Sequence, residues 1–142
     1  IGSQGAIKKL RRYHMFTTTV ANTPFQWAGV AALHGGNDFI NHMLKEYTAR
    51  RDRLVELVEQ TPHMTGYVPE GAFYLFPSLP EGANGTNIAL RLLKETGVCT
   101  IPGETFGSSC SNSLRLSYST SMDNIEKAFE RIIPWMEQQD FD

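Results

Sequence analysis

The sequence predicts a mixed domain of the α+β or α/β type built around a small sheet. Three observations predict it. Residues 1–60 show only helical spacing of apolar side chains, short extended runs begin at Thr65, and further helical runs separate and follow those strands.

Ala6 to Tyr13 reads as a short helix with Ile7 and Leu10 on one side, and Thr17-Thr18-Thr19 interrupts it. Pro24, suited to a first helical turn, opens a second helix through Leu33, which Gly35-Gly36 ends. Asn37 or Asp38 caps a long third helix whose apolar positions Phe39, Ile40, Met43, Leu44, Tyr47, Leu54, Val55 and Val58 keep a 3.6-residue period. It runs to about Gln60, where Thr61-Pro62 stops it. The Arg50-Arg51-Asp52-Arg53 cluster interrupts its stripe, as a solvated helix face would and as a helix crossing between two bodies would.

Thr65 to Val68 and Ala72 to Phe76 read as strands joined through Pro69-Glu70-Gly71, with Pro77 closing the second. After a polar loop, Thr86 caps a helix carrying Ile88, Ala89, Leu92 and Leu93, and Gly97 takes the left-handed position at its end. Val98 to Ile101 and Ser113 to Tyr118 are strands on either side of a Gly- and Ser-rich loop. Asp123 with Glu126 resembles a capping box for a last helix that turns Ile125, Phe129, Ile132, Ile133 and Met136 to one side; Pro134 should kink it or end it early.

With 142 residues, 41% of them apolar, the chain can bury a sizeable core. A formal net charge of −2 with interspersed signs leaves no electrostatic footprint for nucleic acid or an anionic membrane. No apolar run reaches the roughly 20 residues that span a bilayer. Cys99 and Cys110 lack metal spacing and read as reduced thiols of a cytoplasmic protein, and the scattered His14, His34, His42 and His63 form no metal set. The start at Ile1 shows no signal peptide and no initiator Met, which fits processing, tag removal or a piece of a longer chain.

In the run Ser113-Leu114-Arg115-Leu116-Ser117-Tyr118, alternation puts Leu114, Leu116 and Tyr118 on one face and Arg115 with Ser117 on the other. A guanidinium on a rigid strand can bind a carboxylate through two parallel hydrogen bonds, each worth ~1.5–3 kcal/mol. Alternation fits a solvent-facing arginine equally well. The loop Pro102-Gly103-Glu104-Thr105-Phe106-Gly107 can line a pocket or form a plain turn. There is no GxSxG, GxGxxG or Walker sequence.

Several segments in fixed order resemble the C-terminal part of class I and II aminotransferases of the aspartate aminotransferase type, pyridoxal-phosphate fold type I. They are Ala21-Asn22-Thr23-Pro24-Phe25-Gln26, the stretch from Tyr47 to Arg50-Arg51-Asp52, and Pro69-Glu70-Gly71-Ala72-Phe73-Tyr74-Leu75-Phe76-Pro77. Gly97-Val98, Pro102 to Gly107 and Leu114-Arg115-Leu116-Ser117-Tyr118 complete the set, which covers nearly the whole chain.

The resemblance implies a mixed sheet with helices packed mainly on one face. Residues 1–36 would be the end of a large cofactor-binding domain, 37–60 a connecting helix and 61–142 a small domain. It implies that Arg115 binds the substrate α-carboxylate, that Phe106 and Gly107 stand beside it, and that Gly71-Ala72-Phe73 edge the same cleft. The cofactor would be pyridoxal 5'-phosphate and the substrates an amino acid and a 2-oxo acid, in a cytoplasmic homodimer.

The resemblance also implies an incomplete site. The family's Schiff-base lysine follows a serine by three positions, and none of Lys8, Lys9, Lys45, Lys94 and Lys127 does. This chain therefore offers no catalytic lysine and no cofactor-binding residue, and alone it should not transaminate. An effector-binding aminotransferase-like domain of a transcription regulator, or a related pyridoxal-phosphate lyase or synthase, is the competing reading.

Overall fold

The computed structural model describes residues 2–141; Ile1 and Asp142, the outer ends of the expected segments 1–36 and 61–142, lie outside the described residues. The elements are α1 (Gln4–Thr17), α2 (Thr23–Gly35), α3 (Asn37–Glu59), β1 (Tyr74–Leu75), α4 (Gly85–Thr96), β2 (Ile101–Pro102), β3 (Leu114–Ser117) and α5 (Met122–Met136). The chain divides into two compact units, Ile1–His42 and Met43–Asp142.

In the first unit, α1 extends beyond the expected residues because the Ser3 side chain accepts from the Ala6 amide and caps it. Its threonine stop is where the sequence put it, with the Thr18 amide and hydroxyl both turned back to His14. α2 carries its proline in the first turn. No residue of either helix is buried; Phe16 is 81% and Leu33 89% exposed. Asn37 begins α3 as a helical residue and does not cap it.

The second unit holds the core. Leu54, Val55, Leu57 and Val58 of α3 are buried together with Ile88, Ala89 and Leu92 of α4 and with Ile125, Phe129, Ile132, Trp135 and Met136 of α5. Thr61 ends α3 by donating its hydroxyl to the Leu57 carbonyl at 2.7 Å. The arginine cluster is charge-paired: Arg50 to Glu46, Arg51 to Asp52, and Arg53 to both Glu56 and Glu126.

The sheet has the order β1-β3-β2, and both pairings are antiparallel. The α/β class expected from the sequence stands, with less strand than the sequence suggested. Of Thr65–Val68 only Thr65 pairs, in a single bridge to Ser78. Tyr67 and Val68 face solvent and gain too little burial to offset the ordering of a strand. β1 is confined to two residues because Ala72 holds a left-handed backbone, φ +61°, and Pro77 has no amide hydrogen to extend the ladder. β2 lies later than the expected 98–101, since the Val98 amide is taken by the Thr96 hydroxyl at the end of α4.

Three helix-end expectations are corrected. The cap of α4 is Asn84, whose side chain accepts from Asn87, two residues before the expected Thr86, and Leu93 is exposed while its neighbour Leu92 is buried. Gly97 does take the left-handed position, φ +75°. The cap of α5 is Ser121, so Asp123 and Glu126 lie inside the helix and pair with Lys127 and Arg53. α5 also runs two residues past Pro134, which removes a hydrogen bond from the last turn only.

Candidate functional site

β3 is the central strand, and its side chains alternate as the sequence requires. Leu114, Leu116 and Tyr118 are buried, Arg115 is half-buried and Ser117 exposed. Register fixes which residues share the face of Arg115. Tyr74 stands opposite Ser117, and Ile101 opposite Arg115, so Tyr74, Ile101, Arg115 and Ser117 project to one side of the sheet while Leu75, Leu114 and Leu116 project to the other.

On that open face the Arg115 guanidinium carbon lies 4.3 Å from the Tyr74 ring centre and 4.9 Å from that of Phe106. Phe106 is braced by Phe76, edge to face at 5.4 Å. The Arg115 Nε is buried and has no hydrogen-bond partner. Six ion pairs are formed among the described residues, and Arg115 is in none of them. Aromatic faces favour a cation without neutralising it. The guanidinium thus keeps its charge with no carboxylate partner among the described residues.

The loop that delivers Phe106 is more ordered than a plain turn. It forms two 3₁₀ turns, Gly103–Phe106 and Ser108–Cys110. The Gly103 amide donates to the Ser113 carbonyl at 2.8 Å, and a side-chain carbon at Gly103 would come within 2.4 Å of the Cys110 carbonyl oxygen. A side-chain carbon at Gly85, at the start of α4, would lie 2.6 Å from the Ser113 carbonyl oxygen and 2.8 Å from that of Ser111. The Thr86 hydroxyl donates to Glu104 at 3.1 Å and ties the first turn to α4. Gly107 joins the two turns at φ +143°, ψ +149°, a region essentially restricted to glycine.

Arg115 and Phe106 are thus brought together, with Gly107 next in the chain as a conformational joint. Gly71 and Ala72 line a groove of about 190 Å³ whose lining includes Tyr47, Arg51 and Tyr118 and does not include Arg115. Phe73 packs between Tyr47, at 6.3 Å, and Tyr74, at 4.6 Å. The Ala72–Phe73 segment is clamped by one residue: the Tyr118 hydroxyl donates to the Ala72 carbonyl at 2.9 Å and the Tyr118 amide to the Phe73 carbonyl at 3.0 Å. Burial of the Tyr118 phenol pushes its pKa up, which keeps it a donor.

Sequence reasoning missed Tyr74 and Phe76. Both belong to an alternating run, and pairing that run with Leu114–Ser117 would have put Tyr74 on the arginine's face. Lys127 is bonded to Asp123 at 2.8 Å, which raises its pKa. No helix among the described residues is long and apolar enough to cross a membrane.

No family model matches the sequence. The chain is 32% identical over 122 residues to a probable aspartate aminotransferase of Methanocaldococcus jannaschii, which covers 86% of this chain and 32% of the relative. It is 30% identical over 132 residues to an LL-diaminopimelate aminotransferase of Natranaerobius thermophilus, covering 93% of this chain and 34% of that protein. Among solved structures, the aspartate aminotransferase from Rhizobium meliloti superposes with a TM-score of 0.88 at 29% identity, over 98% of this chain and 37% of that one. The chain spans about one third of the length of the curated relatives it matches. The likeness in sequence and in fold over nearly all of this chain places it in the aminotransferase family of fold type I, consistent with the C-terminal part of such a protein.

Proposed function

We propose that the complete protein containing this chain transfers an amino group between an amino acid and a 2-oxo acid, and that Arg115 binds the α-carboxylate of both. The observation that carries the reading is the Arg115 guanidinium, set against two aromatic rings with a buried Nε and no anionic partner. A charge-assisted hydrogen bond from a guanidinium to a carboxylate contributes ~1.5–3 kcal/mol, and a substrate carboxylate supplies the anion that the protein does not. Because amino acid and oxo acid share the carboxylate and differ at the next carbon, one fixed arginine serves both halves of the reaction.

The proposed cofactor is pyridoxal 5'-phosphate, whose ring withdraws electrons from the substrate Cα when it is bound. The family's Schiff-base lysine is not offered by this chain in the expected context: no lysine follows a serine by three positions, and Lys127 is engaged with Asp123. The contribution of this chain is orientation. A carboxylate held by two parallel bonds from a strand residue cannot swivel freely, so the Cα–H bond keeps one direction relative to the rest of the site. Phe106 and Tyr74 stand against the guanidinium and limit its freedom to turn.

In the same reading, residues 1–36 end the large domain, 37–60 connect, and 61–142 form the small domain of a cytoplasmic homodimer. The exposed apolar side chains of α1 and α2 and the two free cysteines are the supporting features. The test is steady-state kinetics on the complete protein with a panel of amino and 2-oxo acids. The expected result is transamination that Arg115→Lys weakens through a higher KM for both substrates. Full activity with unchanged KM in that variant refutes the role of Arg115.

A further inference from the structure

We propose that Tyr74 is a positioning residue for the carboxylate anchor: its ring holds the Arg115 guanidinium so that the edge bearing its N–H groups is presented to a planar carboxylate. This inference rests on Arg115 being that anchor. Tyr74 makes the nearer of the two ring contacts, 4.3 Å against 4.9 Å for Phe106. Its placement is also the more rigid, because it sits in a strand whose register with β3 is set by Tyr74 opposite Ser117 and Leu75 opposite the buried Leu116.

The ring is fixed from behind as well. Phe73 packs on it at 4.6 Å, and the Ala72–Phe73 backbone that aims it is held by both hydrogen bonds from Tyr118. Arginine carries several rotatable bonds, and no carboxylate of the described residues restrains this one. The rings therefore supply the order that an ion pair supplies elsewhere. They do so through the ring faces, without taking up the in-plane N–H groups of the two Nη atoms as an ion pair would. The ring, and not the phenol hydroxyl, is the part that matters.

The experiment measures binding of pyruvate and of its neutral amide, pyruvamide, to the complete protein by calorimetry; no turnover is needed. Wild type should prefer pyruvate, and Tyr74→Phe should keep that preference within about twofold. Tyr74→Leu and Tyr74→Val should each weaken pyruvate about fivefold, the size of a cation–π contact near a surface, and leave pyruvamide unchanged. Either aliphatic variant keeping the wild-type preference, while Arg115→Lys loses it, overturns the role of Tyr74 and leaves that of Arg115 intact. A Tyr74→Phe protein that loses the preference overturns it too, because the ring is still there. A wild type with no preference, or an Arg115→Lys protein that retains it, overturns both readings.

Discussion

Replacing Gly103 with alanine probes how the loop that carries Phe106 is built. The added carbon would lie 2.4 Å from the Cys110 carbonyl oxygen, and 2.9 Å from both the Ser113 carbonyl oxygen and the Ser113 Cβ. Two of these three neighbours are backbone atoms, so no rotamer change relieves them and the loop must move away from β3. Overpacking of this kind costs ~1–3 kcal/mol, and the 2.8 Å bond from the Gly103 amide to Ser113 adds about 0.5–1.5 kcal/mol as it stretches. Together they make a loss of about 1.5–4.5 kcal/mol.

Urea unfolding followed by tryptophan fluorescence reads this change, because Trp135 is buried in the core. With a slope of about 2 kcal/mol per molar urea, the midpoint should fall by about 1–2 M. Gly71→Ala is the matched control: no atom lies within 4 Å of the added carbon, so its midpoint should stay or rise slightly. A Gly103→Ala midpoint equal to wild type would refute the close approach of the loop to β3.

Three further changes test other parts of the account. Ala72→Gly should raise stability by about 0.5–1 kcal/mol in the same assay, since it relieves a left-handed alanine; a loss would show that the methyl group matters more than the strain. Thr100→Val should raise the melting temperature by removing a buried hydroxyl that has no partner, a gain of about 1 kcal/mol, and a lower value would contradict it. Glu95 accepts from the Trp135 indole at 2.7 Å and from Arg91, both of which hold its pKa below the ordinary carboxylate value. A lowered pKa stabilises the fold above the unfolded-state pKa, and that contribution disappears as pH falls through the folded value. Wild-type stability should thus drop more steeply than that of Glu95→Gln below about pH 4.5, and parallel pH profiles would refute the link.

The sequence made the helices legible because their apolar periods are long and their stops are strong: Thr17-Thr18 ends α1, Gly35-Gly36 ends α2 and Thr61 ends α3. Strand lengths were harder to read. Alternation marks Thr65–Val68 and Ala72–Phe76 alike, and only tertiary pairing decides that the first contributes one bridge and the second two residues of ladder. Caps were misplaced where an Asn or Ser side chain lay two residues earlier than the residue that looked like a cap. For the site, alternation alone put Arg115 opposite the core face, and the order of motifs tied it to Phe106. Tyr74 stayed hidden because its nearness to Arg115 depends on the antiparallel register of β1 with β3, which one sequence does not display.

The account stands most directly on where a substrate carboxylate goes. A crystal structure of the complete protein with a bound 2-oxo acid measures this. Carboxylate oxygens are predicted about 2.7–3.2 Å from the two Nη atoms of Arg115, with Tyr74 and Phe106 still against the guanidinium. A carboxylate bound elsewhere, with Arg115 unpaired or held by another protein carboxylate, would contradict it.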